Sequence, residues 1–229
     1  MLGPPNLGEG ATRDLSDSEP VLKRLAVPDA EVWFARHLEW HDPADNLLAE
    51  LIGSTPWRHE AVTIFGKKFM QPRLIAWIGD AGQKYSYSGV QLRPVPWSAT
   101  LRQIREKIEA VSGERFNSVL LNFYRDHHDS IGLHSDDEKE LGPTPTIASL
   151  SLGATRTLIL KHKMRRDLKR VRLDLQSSSL LLMKGSTQTY WKHGIDKQSK
   201  PCGPRVNLTF RRIFPKETNA SGRSRPHST

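Results

Sequence analysis

Hydrophobic and polar positions change their spacing partway along this chain. Near the start, Val32, Trp33, Leu38 and Trp40 follow Asp29, a residue able to cap a helix, and Leu47, Leu48 and Leu51 suggest a second short helix. Leu101, Ile104, Ile108 and Val111 then recur three and four apart, behind Ser98 and ahead of Gly113, which predicts an amphipathic helix with a start and a stop. After residue 115 the pattern turns to short β-like runs at 118–125, 147–152, 156–161, 179–184 and 205–214. Strands of this length, broken by Gly, Pro and charged turns, predict a mainly β or α+β protein: a sandwich or barrel with flanking helices. Residues 1–20 and 215–229 lack apolar periodicity and are expected to be disordered tails, leaving 21–214 as one domain.

Charge narrows the partners. The 229 residues hold 34 Lys and Arg against 25 Asp and Glu, a formal net charge of +9. The pI is near 9.8. That balance favours a polyanionic partner such as nucleic acid, with ordinary solubility an equal alternative. No apolar run approaches the roughly 20 residues of a membrane helix, and no basic cluster followed by an apolar core opens the chain, so no membrane role or secretory signal is expected. The lone Cys202 excludes a disulfide framework and a cysteine-rich zinc site, and fits a reducing, intracellular compartment.

A His-x-Asp/Glu pair on a strand puts two ligands on one face, and a distant His completes the facial triad of non-haem Fe(II) oxygenases. With 9 His and 25 acids, roughly one such pair arises by chance, and three occur. His37-Leu38-Glu39 falls in the expected first helix, where i and i+2 diverge. His127-His128-Asp129 sits in a polar, turn-like stretch. Only His134-Ser135-Asp136 is followed by both a distal candidate, His193, and a strand fit for an acidic co-substrate. In that strand, Arg205, Asn207, Thr209 and Arg211 share one face, while Val206, Leu208 and Phe210 share the other. Two inward arginines are costly unless an anion pairs with them, and a dicarboxylate such as 2-oxoglutarate would pair with both. A solvated face on a basic protein is the other reading. Asn122 and Tyr124, two apart on a strand, offer further polar contacts.

Together, Asn122-Phe123-Tyr124, His134-Ser135-Asp136-Asp137-Glu138, the connecting Ile147-Ala148-Ser149-Leu150-Ser151-Leu152-Gly153-Ala154, His193, and Arg205 to Arg211 closely resemble the AlkB family of Fe(II)/2-oxoglutarate dioxygenases, from near Phe65 to about Phe214. The resemblance implies a double-stranded β-helix (jelly-roll) core. It implies Fe(II) held by His134, Asp136 and His193, with 2-oxoglutarate held by Asn122, Tyr124, Arg205, Asn207, Thr209 and Arg211. It leaves open which arginine takes which carboxylate. It also implies O₂ as co-substrate and oxidative removal of N-methyl groups from bases such as 1-methyladenine and 3-methylcytosine, releasing formaldehyde and succinate.

Three segments bear on the substrate, since an enzyme acting on a base in a duplex must swing it out. Tyr85-Ser86-Tyr87-Ser88-Gly89 resembles the family's substrate lid, with Tyr87 placed to stack on the base and Tyr85 to meet a phosphate; core-packing aromatics are the alternative. Asp137 could accept from an exocyclic amine and favour cationic lesions, or be a solvated acid. Ile64-Phe65-Gly66-Lys67-Lys68-Phe69 reads as a hairpin tip similar to the intercalating finger of duplex-preferring members, with Phe65 as wedge or core residue. Residues 161–172 add seven cations and one acid, Asp167, suited to phosphate contact or to a solvated hairpin. These signals point to a monomer repairing methylated DNA, duplex ahead of single strands or RNA, in the cytoplasm of a prokaryote or the nucleus of a eukaryote. The same chemistry on RNA or protein, or a non-catalytic nucleic-acid-binding module, are the competing readings.

Overall fold

The structure, a computed structural model, describes residues 21–64, 67–81, 85–87, 90–92 and 94–214. Both expected tails, 1–20 and 215–229, lie outside the described residues. In chain order the elements are β1 (Lys23–Leu25), β2 (Glu31–Ala35), α1 (Ala44–Ser54), β3 (Ala61–Ile64), β4 (Lys67–Met70), β5 (Leu74–Gly79), β6 (Tyr85–Tyr87), β7 (Val90–Leu92) and α2 (Ala99–Ser112). They continue with β8 (Ser118–Tyr124), β9 (Ile131–His134), β10 (Ile147–Gly153), β11 (Arg156–His162), β12 (Val171–Leu175), β13 (Leu180–Lys184), α3 (Thr187–Tyr190), β14 (Trp191–Ile195) and β15 (Arg205–Arg211).

Two antiparallel sheets carry the architecture. The larger runs β1-β2-β13-β10-β15-β8-β5 and the smaller β12-β11-β14-β9, with β3-β4 and β6-β7 as separate two-stranded sheets. Side-chain alternation divides the interior into two layers. On one face of the large sheet, Ala76, Ile78, Val119, Leu121, Leu150, Leu182, Val206, Leu208 and Phe210 pack against Leu47 and Leu51 of α1 and Leu101, Ile104 and Ile108 of α2. On the other, Trp77, Leu120, Ile147, Leu181 and Met183 meet Leu158, Leu160 and Ile195 of the small sheet. This is the expected jelly-roll, with helices covering the outside of one sheet.

The Ser98 helix is α2: the Ser98 side chain accepts from the Leu101 N–H, and Gly113 closes the helix at φ 70°. The leucines at 47, 48 and 51 form α1. The helix expected after Asp29 is overturned. Residues 31–35 are β2, pairing with β13 so that Val32 faces Met183 and Trp33 faces Leu182. Steps from 33 to 38 and from 38 to 40 are not helical spacings, and Glu-Val-Trp-Phe-Ala suits a pleated, half-buried surface. Asp29 itself stands at φ 54° in a turn. His37 and Glu39 consequently lie in an irregular stretch, where they approach to 3.6 Å with both side chains exposed.

Candidate active site

The small sheet brings the three candidate ligands together. β9 and β14 pair antiparallel with His134 opposite His193, and the imidazole centroids lie 4.4 Å apart. Asp136 follows two residues after β9 ends, and the ligand atoms of His134, Asp136 and His193 all fall within 4.8 Å of one another. The register shifts between His193 and Ile195, and Gly194 makes that shift possible. A Cβ there would stand 2.8 Å from the Ile131 carbonyl oxygen and 3.0 Å from the Gly132 carbonyl carbon.

Hydrogen bonds, burial and neighbouring charges together prepare the three groups as ligands. The His134 Nδ1–H donates to the Gly132 carbonyl at 2.9 Å, which leaves Nε2 as the ring nitrogen available to a metal. Burial, with His134 and Arg211 beside it and only Asp136 opposing, pushes His193 down from 6.5 to about 3, so this imidazole is neutral. Burial pushes the Asp136 carboxyl up, but the Arg211 guanidinium and the two imidazoles more than reverse this and hold it below its ordinary value. Arg211 Nη2 donates to Asp136 Oδ1 at 2.5 Å, and the Asp136 backbone N–H donates to the Gln188 side chain at 3.0 Å. Oδ2 of Asp136 is buried with no hydrogen-bond partner among the described residues. Two imidazole nitrogens and a carboxylate oxygen with no hydrogen-bond partner among the described residues, all within 4.8 Å of one another, are a donor set that fits Fe(II).

The large sheet supplies a cationic wall. Arg205, Asn207, Thr209 and Arg211 line the same cavity as the triad, together with Asn122, Tyr124 and Ser149. All four β15 residues are buried, so the solvated-face reading of that strand is excluded. Arg205 donates to the Ser151 hydroxyl at 2.9 Å, while its Nε and Nη1 have no hydrogen-bond partner among the described residues. Burial pushes its guanidinium down from the ordinary value. Its Cζ lies 4.9 Å from the Tyr124 ring centroid, and the buried Arg156 lies over the same ring at 5.6 Å. Asn207 donates to the Ser149 hydroxyl and the Leu150 carbonyl and accepts from Thr209, so these two side chains are largely committed to the sheet. Asn122 is oriented by Arg73, whose Nε–H donates to its Oδ1 at 2.7 Å; its amino group is the donor left for the cavity.

On the substrate side, Ile64 and Lys67 face each other across the β3–β4 hairpin and Lys67 is exposed, while Phe65 and Gly66 lie outside the described residues. Tyr85, Ser86 and Tyr87 form β6, paired with β7; Ser88 and Gly89 lie outside the described residues. Asp137 is exposed and meets Lys163 Nζ at 3.2 Å. Asp129, from the pair rejected as metal ligands, instead clamps a turn: both its carboxylate oxygens accept from Arg125, at 2.8 and 2.9 Å. Sequence reasoning missed Gln188, Gly194, Arg73 and Arg156 as site-shaping residues. Each acts across a gap in the chain that no local periodicity marks.

Residues 33–211 match the family described as the 2OG-Fe(II) oxygenase superfamily, beginning well ahead of Phe65. The DNA oxidative demethylase ALKBH2 of Mus musculus is 46% identical over 67% of this chain and 67% of its own length. The same protein of Bos taurus is 44% identical over 67% of this chain and 58% of its own. The alpha-ketoglutarate-dependent dioxygenase alkB homolog 3 of Homo sapiens is 41% identical over 75% and 62%. The chain thus spans about three fifths to two thirds of the length of these relatives. A solved structure of OsALKBH1 superimposes with a TM-score of 0.58 at 21% identity, covering 83% of this chain and 99% of that one, which speaks to the fold.

Proposed function

The chain belongs to the AlkB family within the 2OG-Fe(II) oxygenase superfamily, and from that premise we propose that it removes methyl groups from N-alkylated bases of DNA by direct reversal. The observation that carries the proposal is the pairing of a convergent His-Asp-His set with a buried guanidinium, Arg205, that has no carboxylate partner among the described residues and shares the Tyr124 ring with a second guanidinium, Arg156. Burying such a charge is unfavourable until an anion reaches it, and a small diacid spanning from Arg205 toward the triad meets that need. Bound Fe(II), 2-oxoglutarate and O₂ would supply the oxidation that turns an N-methyl group into a hydroxymethyl group lost as formaldehyde, with succinate and CO₂ as co-products.

The protein's part is placement. His134, Asp136 and His193 would hold the metal from one side. Arg205 would take the far carboxylate of the diacid, with Asn122 and Tyr124 beside it, and Asn207 and Thr209 would stiffen the wall. Arg211 holds Asp136 in place and keeps it ionised. Tyr85, Ser86, Tyr87 and Asp137 would frame the extruded base, and Phe65, Gly66 and Lys67 would occupy the gap it leaves, which favours duplex over single strands. We further propose a monomer with one catalytic domain over 21–214, working inside the cell, in the nucleus if eukaryotic and the cytoplasm if prokaryotic. No described helix is long and apolar enough to cross a membrane.

The decisive assay supplies Fe(II), 2-oxoglutarate and oligonucleotides carrying 1-methyladenine or 3-methylcytosine, as DNA duplex, DNA single strand and RNA in competition. Wild type should release formaldehyde and succinate, most readily from duplex DNA. His134→Ala and Asp136→Ala should release neither. Undiminished formaldehyde from either variant would refute the assignment, and preferential turnover of RNA would move the substrate.

A further inference from the structure

A lysine sits where the substrate reading wants a free carboxylate. Lys163 Nζ lies 3.2 Å from Asp137 Oδ2 and donates to the Gln188 carbonyl at 2.8 Å. Its side chain is 23% exposed against 62% for Asp137, so the lysine is the more sheltered member of the pair. The backbone around it is fixed as well. The Lys163 N–H donates to the Tyr190 carbonyl at 2.7 Å. The next two N–H groups, of Met164 and Arg165, both donate to Nδ1 of the buried His162, at 3.2 and 2.9 Å. Gln188, whose carbonyl holds the lysine, also holds the Asp136 backbone through its side chain. The lysine is therefore tied through Gln188 to the backbone of a candidate metal ligand, Asp136, and pairs with the residue that follows it.

An unopposed carboxylate at the mouth would attract a base that carries positive charge and offer nothing of the kind to a neutral one. With an ammonium already against it, much of that difference is cancelled. We infer that Lys163 sets how far the site discriminates between cationic and neutral N-methylated bases, by occupying the carboxylate that a cationic base would otherwise use. Resting on the proposed demethylation at this site, the inference assigns a specificity-determining role to a residue that touches Asp137 rather than the reacting methyl group. Lys163 widens the substrate range toward neutral lesions.

The test compares two pyrimidines of nearly the same shape in one oligonucleotide context: 3-methylcytosine, cationic at neutral pH, and 3-methylthymine, neutral. The reading is the ratio of kcat/KM for the first over the second by formaldehyde release, with Kd for each oligonucleotide by fluorescence anisotropy. Lys163→Gln, which keeps a donor for the Gln188 carbonyl but loses the charge, should raise the ratio on the order of fivefold, the size expected of one charge pair near the surface. Lys163→Arg should leave it near the wild-type value. A ratio that Lys163→Gln does not move overturns the inference. So does a uniform loss of affinity for both oligonucleotides with a salt slope reduced by about one, which would make Lys163 an ordinary phosphate contact. A wild-type protein inactive on both would overturn the demethylation reading itself, whereas an active wild type with an unmoved ratio removes only the role given to Lys163.

Discussion

Arg205 illustrates how a single side chain can be poorly satisfied alone and well satisfied in use. It is 1% exposed, and two of its three guanidinium nitrogens lack hydrogen-bond partners among the described residues. Replacing it by Met removes a desolvated charge, so Arg205→Met should unfold no more easily than wild type, while losing the stabilisation an anion gives. In thermal unfolding, 2-oxoglutarate with Mn(II) should raise the midpoint of wild type and not of the variant; equal shifts would dissociate Arg205 from the diacid. His193 yields a pH prediction with a definite sign. An unfolded chain protonates this histidine near 6.5, but the folded protein resists to about 3. Across that window the unfolded state binds the additional proton, so the metal-free protein loses stability as pH falls from about 6.5 to about 3. Asp136, held below its ordinary 3.8, adds a loss as pH falls further, when its carboxylate is finally protonated. Urea midpoints in chelator at pH 7.5, 6.0 and 5.0 should decline in wild type and decline less in His193→Gln. The ligands were legible because His-x-Asp has a recognisable spacing. Gln188 was not, since its bond to the Asp136 backbone spans 52 residues.

At the level of elements, β15 was the most legible segment and β2 the least. Strict alternation in Arg-Val-Asn-Leu-Thr-Phe-Arg assigns the two faces of a strand buried on both sides, and the structure puts Val206, Leu208 and Phe210 against the helices and the polar four into the cavity. β2 has one short apolar cluster, equally compatible with helix or strand, and its pairing with β13 decides the matter. The meeting of β9 and β14 was also invisible, because it hinges on the absence of a side chain at 194. Gly194→Ala should leave the sheets intact but push β14 from β9 at the His134–His193 pair, weakening metal binding on the order of tenfold. Far-UV circular dichroism with an anaerobic Fe(II) and 2-oxoglutarate titration would check both halves. Unchanged metal affinity would mean the strands can accommodate a methyl group there.

For the whole molecule, the jelly-roll followed from resemblance more than from periodicity, and the net charge of +9 became informative only once placed in space. Much of it is engaged: Arg73, Arg156, Arg205 and Arg211 are buried in or beside the site, and Arg165 pairs with both Asp167 and Asp29. On the β11–β12 hairpin, Arg166, Lys169 and Arg170 are exposed and form no ion pair among the described residues. On the proposed function these three, unlike Lys163, are the hairpin cations placed to meet phosphates. Each contact made with a duplex releases condensed counterions, so log K should fall with log salt by about 0.9 per contact. Replacing all three by Ala should then reduce that slope by up to about 2.7 and weaken binding most at low salt. Because phosphate contacts carry no information about the base, the relative turnover of different methylated bases should not change. Anisotropy titrations of methylated and unmethylated duplexes across a salt series would measure the slope. If it stays at the wild-type value, the three hairpin cations make no phosphate contact.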